Sequence, residues 1–144
     1  MDADTLGQIS FLAVEFPAGR MTGEGFDLLL DLVKRNVLRV LDLEFMVKSA
    51  DGAVKKVPLG EVEHGSAVDV TMWEGASSGL LDQSDIDEVA LAIGPGSLAG
   101  ILVYENVWAA PLMAAMARTG ALLIGRGEIG VDDLVAALDQ TEPP

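Results

Sequence analysis

The chain has 144 residues, with 9 Lys or Arg against 23 Asp or Glu and a formal charge of −14. That balance excludes nucleic acid, whose phosphates must be neutralised by cations, and an anionic membrane surface for the same reason. Half of the residues are hydrophobic and none is Cys, so a core can form, but disulfides, thiol catalysis and zinc–thiolate sites are ruled out.

Ile9 to Phe16 is a short apolar run ended by Pro17, which reads as a strand buried on at least one face. Thr22 offers a helix N-cap, and Phe26, Leu29, Leu30 and Val33 recur at helical spacing, with Asp27, Asp31, Lys34 and Arg35 outside. Asn36 is placed to close that helix in the left-handed conformation. From Val37 to Val47 the pattern alternates. Leu41, Leu43, Phe45 and Val47 point one way, and Val40, Asp42, Glu44 and Met46 the other. Asp51-Gly52 has the signature of a type I′ hairpin, returning the chain as a strand over Val54 to Leu59, with Lys55 and Lys56 near an edge.

Gly60 to Gly79 is the least periodic segment, with a weak alternation from Ala67 to Met72. Ser84 and Asp87 resemble a capping box, so a helix is expected from about Asp85 to Ile93, stopped by Gly94-Pro95-Gly96. A strand over Leu98 to Glu105, an alanine-rich helix over Trp108 to Arg118, a strand over Ala121 to Ile124 and a short helix over Asp132 to Leu138 complete the order. Ser97 to Ala117 is apolar enough to suggest a membrane span. Glu105, Asn106 and Pro111 in its middle argue for a strand followed by a helix instead. Met1-Asp2-Ala3-Asp4 lacks the basic start of a signal peptide, and with the absence of Cys this predicts a cytoplasmic protein.

The order predicts one α+β domain over 1–144, a ferredoxin-like (split βαβ) antiparallel sheet with its helices on one face. Parity then assigns Phe11, Ala13, Glu15, Val40, Asp42, Glu44, Met46, Ile101, Val103 and Glu105 to the uncovered face. That set is too apolar to meet water. A second subunit, or the irregular segment carrying Met72 and Trp73, is expected to cover it. Phe11, Ala13, Val40, Met46, Ile101 and Val103 are the candidate interface, and a homo-oligomer is the expected assembly, with another protein as a possible partner.

Glu15 and Glu105 each end a strand, and in the expected sheet they sit together at one end. Two adjacent carboxylates can share a proton, bind a divalent cation or perform acid–base chemistry. Neutralisation by Arg20, Arg39 and Arg118 at the rim is the plainer reading. Gly125-Arg-Gly127-Glu-Ile-Gly130 fits the dinucleotide pattern, but the chain that follows holds no further strand and no acid to bind a ribose. Asp82 to Glu88 lacks the glycine and the final glutamate of a calcium loop. His64, between Glu61 and Glu63, reads as a solvated loop residue, and Trp73 and Trp108 as core or interface anchors. No cofactor is implied.

Val14-Glu-Phe-Pro17, Arg39-Val-Leu-Asp-Leu43, Gly94-Pro-Gly-Ser97 and Val103-Tyr-Glu-Asn-Val-Trp-Ala-Ala-Pro111 together resemble a family of small acidic actinobacterial proteins, domain of unknown function 6325. That family looks related to stress-associated and membrane-like domains. The resemblance covers nearly the whole chain, with Tyr104 where the family often has Trp. It implies no activity, cofactor or catalytic residue. Three readings follow: a non-enzymatic oligomerising or scaffold protein, a small-ligand or divalent-metal-binding regulatory domain with Glu15 and Glu105 at its mouth, and an enzyme of the dimeric α+β barrel type.

Overall fold

The computed structural model describes residues 7–17, 19, 21–62, 65–75, 81–122, 124 and 131–141. Arg20, His64, the Gly125–Gly130 motif and part of the 60–79 segment lie outside them. The chain divides into two compact units, Met1–Pro111 and Leu112–Pro144.

The first unit holds a four-stranded sheet of β1 (Ile9–Phe16), β2 (Arg39–Lys48), β3 (Val54–Val57) and β4 (Leu98–Glu105), with helices α1 (Glu24–Lys34) and α2 (Gln83–Ala92). The strand order is β1-β4-β2-β3, and every neighbouring pair is antiparallel. The α+β class is as expected. The ferredoxin-like arrangement is not reproduced: β1 and β2 both run antiparallel to β4 and therefore parallel to each other, with β4 between them.

Local chemistry explains the elements. Asn36 is the left-handed residue (φ 58°) just past α1, as its side chain favours. Gly23, rather than Thr22, caps the N-terminus of α1. The backbone of Ser66 passes so close that a Cβ on residue 23 would lie 2.4 Å from its nitrogen, and Ser66 Oγ donates to Asp27 at 2.7 Å. The turn between β2 and β3 is a five-residue loop, since Lys48 pairs with Val54. Only Gly52 takes a positive φ there, so it is not a type I′ turn, which needs two such residues. The capping box of α2 is Asp82 with Asp85, one pair earlier than Ser84 and Asp87.

The core forms two layers, one on each face of the sheet. Phe26 and Leu29 of α1 pack on Leu43, Phe45 and Leu98, together with Leu59, Val62, Val70 and Trp73. The 60–79 segment thus lies on the α1 face, with 3-10 turns over Leu59–Glu61 and Val70–Trp73 rather than a strand. Phe45 stands opposite Gly100 on β4, and its ring occupies the space a Cβ there would need, at 2.7 Å. It meets Phe26 edge to face at 5.9 Å between centroids.

On the other face, Ile86 and Ile93 pack on Met46, Ala99 and Ile101. Helices therefore cover both faces, not one. The parity reading holds for nine of the ten residues assigned to that face. A bulge between Val40 and Asp42 shifts the tenth, so that Val40 joins the α1-side core.

The second unit contains the end of α3 (Ala109–Ala117), which begins in the first, and α4 (Val131–Thr141). Gly120, at φ 88°, ends the turn after α3. Ala121, Leu122 and Ile124 are not in a strand, contrary to the expectation. Leu134, Val135 and Leu138 form an exposed apolar stripe on α4. Among the described residues no helix is long and apolar enough to cross a membrane.

Candidate functional site

The structure separates the two glutamates. Glu15 pairs with Ala99 and Glu105 with Ile9 at the other end of the same ladder, about 20 Å apart at roughly 3.3 Å per residue. The expected pairing needed β1 and β4 to run the same way, and they run oppositely.

Each carboxylate is tied into the fold. Glu15 Oε2 accepts from Gly94 N at 2.9 Å and Ser97 Oγ at 2.7 Å. These bonds, from the Gly94 amide above all, hold its pKa below the ordinary value despite some desolvation, with help from the positive charge of Lys48. Lys48 Nζ in turn donates to Ala90 O and Ile93 O, satisfying carbonyls at the end of α2. Glu15 and Lys48 fasten the loop after α2 to the sheet. Glu105, 5% exposed, accepts from Gly7 N at 2.8 Å and forms an ion pair with Arg39 at 2.7 Å. Asp42 is buried, and Glu44 Oε1 meets Lys56 Nζ at 3.4 Å. Among the described residues no three His, Asp or Glu side chains are arranged to hold a metal ion.

The expected interface residues also divide. Met46, Ile101 and Val103 are buried, the first two beneath α2. Val40 lies on the opposite face. Phe11 and Ala13 remain exposed, and both belong to β1.

That strand is the site. β1 is an edge of the sheet, and its side chains are uncovered on both faces: Phe11 is 64% exposed, Leu12 52% and Val14 46%. On the α1 side Leu12, Val14 and Phe16 line an apolar groove of about 710 Å³, walled by Leu28, Leu32 and Leu102 and floored by Phe45. On the α2 side Ile9, Phe11 and Ala13 line a smaller one of about 230 Å³ with Leu81 and Val89. Each helix covers the centre of the sheet and stops short of β1. Sequence reasoning overlooked Ile9, Leu12 and Val14. The available signal was that Ile9–Phe16 is apolar at odd and even positions alike, which a strand with one wet face would not be.

The free backbone groups of β1 follow from its pairing. Asn106 N donates to Gln8 O at 2.8 Å, so residue 8 points its polar groups at β4 and alternation turns those of Ile9, Phe11, Ala13 and Glu15 outward. The sheet's opposite edge is blunted. β3 has four residues, two of them Lys55 and Lys56, the charges that discourage edge pairing.

Fold and site define an α+β protein whose antiparallel sheet has one protected edge and one apolar, unprotected one. The chain belongs to a family of unknown function, DUF6325, whose model matches residues 5–141. No curated protein and no solved structure matches it.

Proposed function

We propose that the protein is non-enzymatic and works by assembling with copies of itself, as a homo-oligomeric scaffold. The observation that carries this reading is β1, an eight-residue apolar edge strand exposed on both faces and flanked by two apolar grooves. Such an edge is a ready template for another chain, and apolar surface of this kind is costly to leave in water. The expected surface moves accordingly, from the sheet face that α2 covers to the flank that neither helix reaches. In this reading the protein acts in the bacterial cytoplasm, where an acidic, cysteine-free chain is at home. Light scattering after size-exclusion chromatography at micromolar concentration tests it. A mass of two or more chains is expected, and a strict monomer across that range overturns it.

A second reading is favoured by the larger groove. Its volume of about 710 Å³ and its leucine-rich lining suit an apolar small molecule. This retains the ligand-binding alternative but moves it away from Glu15 and Glu105. A fluorescent fatty-acid analogue that binds the wild type and is lost on Leu102→Lys would support it. Equal binding by both would remove it.

A further inference from the structure

We infer that two copies pair β1 against β1, antiparallel about a two-fold axis at Leu12, so that two four-stranded sheets become one of eight strands. The inference rests on the self-assembly reading and specifies its geometry.

Three observations lead to a second copy as the occupant. The outward groups belong to Ile9, Phe11, Ala13 and Glu15, and an antiparallel copy of the same strand presents the same four in reverse, as an isologous contact requires. The strand carries a single charge, Glu15, and the amide of Gly94 and hydroxyl of Ser97 hold that carboxylate against its own sheet. Two chains of formal charge −14 can therefore meet along this line with little direct repulsion. Finally, β3 is short and carries Lys55 and Lys56, which leaves β1 as the edge able to pair.

Symmetry fixes the register. A two-fold axis perpendicular to the sheet keeps each face on its own side, so paired residues must share parity and the axis must pass through a residue. With the axis at Leu12, Ile9 faces Glu15 and Phe11 faces Ala13 of the second copy. All four outward residues are then used, making about eight backbone hydrogen bonds. Moving the axis to Phe11 or Ala13 leaves one of the four without a partner inside the strand. The Leu12 register also matches volumes on the α2 side, where each Phe11 ring lies over the small Ala13 of the other copy. On the α1 side the two Leu12 side chains meet, and the two larger grooves join across the axis.

The absence of cysteine makes single-cysteine variants a clean test. In this register Leu12 sits opposite itself as a non-hydrogen-bonded pair, with Cα atoms about 4.5 Å apart, within disulfide range. Two Ala13 residues are offset by two positions and out of that range. Under mild oxidation Leu12→Cys should cross-link between chains on the order of tenfold faster than Ala13→Cys. A wild type that is dimeric by light scattering while Leu12→Cys fails to cross-link, or Ala13→Cys cross-links as fast, overturns the pairing and leaves self-assembly standing. A monomeric wild type overturns both. Residue 12 is half exposed, so the variant should fold, and an unchanged melting temperature under reducing conditions checks this.

Discussion

Glycine at position 100 shows how one residue shapes the core. Phe45 lies across it, and the same ring contacts Phe26 of α1, so the absence of a side chain on β4 is what lets α1 settle on the sheet. Gly100→Val should force that ring out of place and cost about 1–3 kcal/mol of stability, measured by urea unfolding. Carboxylates act at the same scale. Glu15, Asp51, Asp69 and Asp82 all have lowered pKa values, caused first by hydrogen bonds from Gly94, Ser49, Thr71 and Ser84 respectively. A carboxylate whose folded pKa is depressed stabilises the fold above its unfolded value and loses that contribution as pH falls through the folded value. The melting temperature should therefore fall on acidification below about pH 4. Glu15→Gln should flatten part of that fall, and an identical pH profile for wild type and variant would refute the role given to Glu15.

At the scale of elements, what was legible in the sequence was what local chemistry decides. β4 spans Leu98–Glu105 as read, and Asn36 takes its left-handed turn. The alternation of β2 identified the residues of the α2 face as far as the bulge. The bulge itself left no mark, because Leu41 is as apolar as the neighbours it displaces. Two further matters are non-local. Which strand lies at an edge depends on strand order, and α2 could be assigned to a face only once its Ile86 and Ile93 were seen on Met46 and Ile101. The candidate site turned on those facts: the glutamate pair dissolved because β1 and β4 are antiparallel, and the assembly surface moved to β1 because α2 covers Met46 and Ile101. The capping of α2 carries its own prediction. Asp82→Ala removes the bond to Asp85 N at 3.0 Å and should cost about 1 kcal/mol.

For the whole molecule, charge and assembly oppose each other. Each chain repels its copy through a formal charge of −14, while the proposed contact between them is apolar and backbone-mediated. Salt screens the repulsion, with a Debye length of about 10 Å at 0.1 M, and leaves the contact intact. Raising the salt from about 0.01 to 0.5 M should therefore tighten the dimer, whereas an interface held by ion pairs would loosen. The most direct measurement is sedimentation velocity of the wild type beside Leu12→Lys, which places a charge on the proposed axis without touching the buried core. The account predicts a dimeric wild type and a monomeric variant with the same far-ultraviolet circular dichroism. A wild type that sediments as a monomer, or a variant that remains as dimeric as the wild type, would contradict it.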